Sequence, residues 1–183
     1  MVLALVLLTC LTHAAKAQSP PSVVVNREYT IKAAFLYHFL TYTEWPDSRA
    51  GVEAPLIVAV YGPDPFGAVL DKIAATKTVN NRPIEVRRIA DPADANPCHL
   101  LFVPGAVAHE ELGAVFAAVR GLPVLLVGEA DGFVDRGGAA EFYVEGNRVR
   151  FAFNTDVVDE RELKVSSKLL SLAKIVTSKQ ASK

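Results

Sequence analysis

Cysteine is nearly absent from this chain. Only Cys10 and Cys98 occur in 183 residues, and Cys10 lies inside an apolar N-terminal run. If that run is removed as a leader, Cys98 stands alone. No intrachain disulfide can then form and no thiolate cluster can hold zinc. Cys98 precedes an apolar run, which fits a small buried residue at a strand start. An excess of charge is missing as well. Nineteen Lys and Arg balance 20 Asp and Glu, for a formal net charge of -1. Bulk charge therefore gives no attraction to nucleic acid or to an anionic membrane. The apolar run at residues 2–11 is too short to span a bilayer.

Several chemical signatures are missing too. There is no GxGxxG after a strand and no GxxxxGK[ST] to cradle phosphate. The segment YGPDPFG at 61–67 links a buried strand to a helix, but Pro63 and Pro65 remove two backbone donors. His109-Glu110-Glu111 lacks the second histidine one turn later that a helical zinc site requires. No GxSxG elbow occurs. Asp131 and Asp135 flank Gly132-Phe133 in a loop, where turn and solvation chemistry outweighs acid–base work. The sequence thus points to a non-enzyme with no catalytic residues, no cofactor and no metal.

What is present is a leader and one ordered α/β pattern. Ala15-Lys16-Ala17 follows the apolar run with small-x-small spacing, which predicts export and cleavage after Ala17. Residues 18–27 read as a flexible segment, 28–177 as a single domain, and 178–183 as a tail. The first helix is expected from near Asn26 to a point before Pro46, with Ile31, Ala34, Phe35, His38, Phe39 and Tyr42 as its inner stripe. On that stripe His38 reads as a core histidine.

Continuous apolar runs at 56–61, 99–103 and 123–127 predict strands covered on both faces. Between them, Asp64-Pro65 predicts the start of a helix through Ala75, 84–89 a strand nearer an edge, and 107–119 a helix with Leu112, Val115, Phe116 and Val119 inside. Residues 139–153 alternate around Glu145-Gly146-Asn147, the pattern of a hairpin with one buried face. Asn154 caps the helix that follows. Ser166 or Ser167 is expected to cap a last helix that buries Leu169, Leu172, Ala173 and Val176. The fold class is therefore α/β. It is one domain with a mixed, mainly parallel sheet, helices on both faces and an antiparallel edge hairpin.

Five motifs in order carry a family resemblance. They are IKAAFLYHFLTYTEWP at 31–46, YGPDPFG at 61–67, NRPIEVRRI at 81–89 with CHLLFVP at 98–104, the GF…GG pattern of 132–138, and VRFAFN at 149–154 with KVSSKLLSLAKIV at 164–176. Together they resemble the YfiR family across about residues 28–176. The resemblance implies a periplasmic, dimeric α/β protein that represses a membrane-bound diguanylate cyclase by binding its periplasmic domain. Relatives often carry cysteine pairs, which this chain lacks. A small-molecule sensor of the periplasm is the alternative. Ligands of open α/β sheets favour the carboxyl ends of the parallel strands, here 62–64, 104–106 and 128–133. Aromatic and arginine side chains are the usual interface anchors, and Trp45, Phe133 and Arg150 are the candidates for partner or ligand binding.

Overall fold

The structure, a computed structural model, describes residues 27–46 and 54–177. The leader, its cleavage site, the segment 18–26 and the tail 178–183 lie outside the described residues.

The three continuous apolar runs become the centre of the sheet. Strands β2 (Leu56–Tyr61), β5 (Leu100–Val103) and β6 (Leu125–Gly128) are buried at every position. Around them lie α2 (Ala68–Thr76), β3 (Thr78–Val79), β4 (Arg82–Ile89), α3 (Leu112–Ala118), β7 (Ala140–Glu145) and β8 (Arg148–Asn154). The chain begins with α1 (Arg27–Thr41) and β1 (Thr43–Glu44), and ends with α4 (Thr155–Glu160), β9 (Lys164–Val165), α5 (Ser167–Leu170) and β10 (Lys174–Val176).

The main sheet has eight strands in the order β10-β8-β7-β6-β5-β2-β4-β3. Strands β4, β2, β5, β6 and β7 run parallel. The hairpin β7–β8 is antiparallel, and β10 lies parallel outside it. From β2 the chain moves one way to β4, then crosses back to β5 and continues to β6 and β7. Strand order thus reverses between β2 and β5, the switch point of a doubly wound sheet. One face packs Leu56, Val58, Val60, Phe102 and Phe142 against α1, α2, α4 and α5. The other packs Ile57, Ala59, Leu101 and Leu126 against α3. The mixed, mainly parallel α/β architecture matches the sequence reading.

Local boundaries depart from it in instructive ways. Helix α1 stops at Thr41 because Thr43 and Glu44 leave it to pair with Val165 and Lys164. Its buried residues are Lys32, Ala33, Leu36, Phe39 and Leu40. The true inner face is therefore rotated from the expected stripe. Ile31 and Tyr42 are exposed, and His38 is an exposed residue stacked near Tyr42 rather than a core histidine. Helix α2 starts at Ala68, while Asp64 caps the preceding turn by accepting from the Phe66 amide at 2.7 Å. The last segment is not one helix. Ser166 does cap α5, accepting from the Lys168 amide, but the helix has four residues. Ile175 and Val176 then extend to pair with β8, whose outer side needs backbone partners, and Leu172 is left 66% exposed.

Phe133 is the largest correction. As a partner-binding candidate it needed exposure, yet it is fully buried. Its ring stands in a slot between Gly128 and Gly138 and packs 5.0 Å from the Phe116 ring. A Cβ at Gly128 would lie 2.5 Å from the ring, and one at Gly138 2.2 Å from it. The Gly138 amide donates to the Phe133 carbonyl at 2.9 Å, closing the loop around its own side chain. Nearby, the buried Arg161 guanidinium donates to the carbonyls of Val124 and Gly137 at 2.9 and 2.8 Å. Burial pushes its pKa down to about 10.

A double-mutant cycle checks the wedge. Gly138→Ala is expected to cost about 2 kcal/mol through overpacking. Phe133→Ala should cost about 3–5 kcal/mol through the cavity it leaves. The double variant, followed by urea unfolding, should fall short of their sum by about 1 kcal/mol or more, because truncating Phe133 removes the ring that the added methyl group would strike. Strict additivity would show that the two residues do not meet.

Candidate functional site

The carboxyl edge of the parallel strands was the expected place for a ligand. It is occupied from within. Glu129 follows the last residue of β6, and its side chain is 6% exposed. One carboxylate oxygen accepts from the Lys32 ammonium at 2.6 Å. The other accepts from the Gly105 amide at 2.7 Å and from the Tyr29 hydroxyl at 3.1 Å. Lys32 is 4% exposed, pairs also with Glu28 one turn earlier on α1, and stands 4.8 Å from the centre of the Tyr29 ring. The Tyr29 ring packs edge-on against Phe66, and Phe66 against Phe102.

Each partner has a local reason to be there. Gly105 follows β5, so its amide points off a strand end without a ladder partner. Glu28 and Lys32 are spaced i, i+4 and share one helix face. The first turn of α1 thereby fills the crevice beside the switch point. One ammonium faces two carboxylates, with cation–π support from Tyr29. Burial pushes the Tyr29 phenol up to about 12, and the charge and hydrogen bond of Glu129 add to that shift. The arrangement fastens α1 to the ends of β5 and β6 and keeps Tyr29 protonated. Sequence reading placed 104–106 and 128–133 at this edge but missed Lys32, Tyr29 and Glu129. The usable signal was the Glu28–Lys32 spacing on a helix whose neighbouring positions are apolar.

Trp45 lies at the other end of the molecule. Its indole N–H donates to the carbonyl of His99 at 3.1 Å, and the two rings meet edge to face at 5.5 Å. It lines an open cleft of about 490 Å³ with Glu44, Pro46, Asp159, Leu163 and Lys164. The β1–β9 ribbon forms the base of that cleft. Arg150 is exposed on β8, opposite Tyr143, with its Nε 3.5 Å from a Glu145 oxygen. The structure therefore leaves Trp45 and Arg150 accessible and far apart in role. Phe133 belongs to the core.

The YfiR/HmsC-like family matches residues 29–174. The chain belongs to that family. No curated protein matches it. The match starts at Tyr29 and ends at Lys174, so the latch at the carboxyl edge, the Trp45 cleft and the hairpin all fall inside the shared region of this YfiR/HmsC-like chain.

Two measurements test the latch. Lys32→Met leaves the buried Glu129 carboxylate without its ammonium and should destabilise the fold by about 3 kcal/mol in thermal unfolding. Adding Glu129→Leu should recover part of that loss. The second is alkaline. Because the folded Tyr29 holds its proton more tightly than an unfolded phenol, its contribution is full below pH 10 and is lost as pH rises towards about 12. Stability should decline over that window, and Tyr29→Phe should flatten the decline. Tyr61, which donates to Glu111 at 2.9 Å, is also shifted upward, chiefly by burial. The comparison of wild type with Tyr29→Phe isolates the Tyr29 share.

Proposed function

We propose that this chain is a non-catalytic regulator of the periplasm that holds a membrane-bound diguanylate cyclase inactive by binding the cyclase's periplasmic domain. Membership of the YfiR/HmsC-like family supports the partner class. The leader-like N-terminus supports the compartment. The observation that carries the non-catalytic part is the filled crevice. Where doubly wound folds place cofactor or substrate, this chain places its own Tyr29 and Lys32. Function is then left to the surface. Trp45 and Arg150 are the anchors, the first a half-buried aromatic beside a cleft, the second an exposed guanidinium on a flat strand. To hold a cyclase off, the chain must bind one of its states more tightly. A difference of about 3 kcal/mol biases the target roughly a hundredfold.

A second reading is a small-molecule sensor. The Trp45 cleft favours it, because about 490 Å³ falls within the ordinary range for ligand sites and an aromatic wall faces the carboxylates of Glu44 and Asp159.

Deletion of the gene tests the first reading. Cellular cyclic-di-GMP should rise, and the intact chain should restore the low level. Trp45→Ala or Arg150→Glu, with unfolding midpoints unchanged, should weaken that restoration. Capture from the periplasmic side should recover a membrane protein with a cyclase domain. Unchanged cyclic-di-GMP, together with a small molecule that raises the melting temperature without a protein partner, would replace the first reading with the second.

A further inference from the structure

Three arginines from three segments converge on one small cavity. Arg161 caps the end of α4, Arg120 lies just past the end of α3, and Arg136 closes the short 3-10 turn Val134–Arg136. With Gly121 and Gly137 they line a space of about 130 Å³. Cations suit the C-terminal ends of helices, which accounts for Arg120 and Arg161. It does not account for Arg136, whose turn has three residues and little dipole.

Charge on this lining is uncompensated. None of the three arginines forms an ion pair among the described residues. The one carboxylate beside them, Glu160, is exposed and beyond ion-pair distance of all three. Three positive charges against one negative leave the lining with two positive charges. Arg161 is buried, and its Nη1 and Nη2 groups already donate to the carbonyls of Val124 and Gly137. It supplies charge from behind the wall rather than a contact.

Arg136 is the residue that points to a ligand. Its Nη1 stands 2.7 Å from Nε2 of the exposed His109 ring. Its Nε and Nη2 are shut away from water and have no acceptor. Buried donors without acceptors are costly, and native chains keep few of them. These two nitrogens form one edge of the guanidinium fork, the edge that matches two oxygens of a phosphate. To present that edge to a bound ion, the side chain must swing and give up the contact with His109.

Size and charge narrow the ion. A space of about 130 Å³ is well under the roughly 300–1,000 Å³ of sites for drug-sized ligands, so it admits one small group and not a nucleotide. Two uncompensated charges favour a dianion over a carboxylate. We propose that this cavity binds a single doubly charged tetrahedral oxyanion of the phosphate class, held by the Nε–Nη2 edge of Arg136, with Arg120 at the rim and the charge of Arg161 behind it. The site goes beyond the regulator reading and does not rest on it. The ion is either free phosphate or the end of a phosphomonoester.

The probes are inorganic phosphate, methyl phosphate and acetate, each added to the purified whole chain at an ionic strength held constant with sodium chloride. Calorimetric titration should show one phosphate site, with acetate about tenfold weaker or worse. Methyl phosphate that binds as phosphate does assigns the site to a phosphomonoester end, and its failure to bind assigns it to the free ion. At ten times its dissociation constant, phosphate should raise the melting temperature by about 4 °C over matched chloride. Arg136→Met should weaken phosphate about tenfold or more. The same change should not lower the melting temperature in phosphate-free buffer, since it removes donors that lack acceptors. Arg120→Gln should weaken binding several-fold, and Lys168→Gln, which removes a charge elsewhere, should not. Phosphate binding that survives Arg136→Met undiminished would overturn the proposal. So would a melting temperature raised equally by chloride, or acetate bound as tightly as phosphate.

Discussion

A carboxylate taken out of water must be given partners, and Glu129 determines how the two ends of this fold meet. Its oxygens collect an ammonium and a hydroxyl from α1 and a backbone amide from the turn after β5. Any one of those contacts in water would contribute little. Under cover the balance changes, because each missing partner leaves desolvated charge behind. The cost of a bare Glu129 therefore keeps α1 seated on the strand ends. Once α1 is seated, Leu36, Phe39 and Leu40 lie over the sheet, and Phe39 meets Phe142, Phe151 and Phe153 at centroid distances between 5.1 and 5.5 Å. The aromatic layer is thus aligned by a polar contact at its margin. The ridge of α1 also closes the crevice where related topologies hold ligands.

The loop after β6 shows a different kind of constraint. Nothing charged holds Phe133. Two missing side chains do, at Gly128 and Gly138, and the slot they leave is as wide as an aromatic ring. The ring then fixes the path from β6 to β7, so Val127 can pair with Ala140 and the hairpin can join the parallel sheet. Arg161 secures the same region from α4 by satisfying carbonyls at Val124 and Gly137. Both devices fill or satisfy something buried. Neither presents chemistry to solvent.

Sequence legibility followed the strength of the pattern. Fully buried strands announce themselves, because β2, β5 and β6 have no polar face to confuse the period. The hairpin was legible for the opposite reason: its alternation and the Gly146 turn are local. Helix α1 was misphased because the residue on its inner face that matters most is Lys32, and a hydrophobic stripe drawn by composition steps around a lysine. Phe133 was misplaced for a related reason. An aromatic beside glycines looks exposed in sequence, whereas the glycines here exist to make room for it. The end of the chain was read as helix because Leu169, Leu172, Ala173 and Val176 have helical spacing. Pairing to β8 overrode that periodicity, and propensity yields to a backbone ladder when a strand edge is waiting.

A doubly wound sheet whose switch point is sealed cannot use the site that its topology favours. In the regulator reading its surface does the selecting, and that surface is uneven. Carboxylates collect around the Trp45 cleft with Glu44, Asp159 and Glu162, while the last twenty residues carry lysines and no acid. Helix α1 and the β1–β9 ribbon connect these regions to the carboxyl edge, since α1 is tied at its start by Glu129 and leads at its end into the strand that pairs with Lys164 and Val165. A partner that gripped the ribbon or the Trp45 cleft would meet a helix already anchored at both ends. Such a helix resists bending and transmits displacement as a unit. For a regulator of the kind proposed, that rigidity is useful. The differential affinity is then spent on the target's conformation and not on the regulator's own.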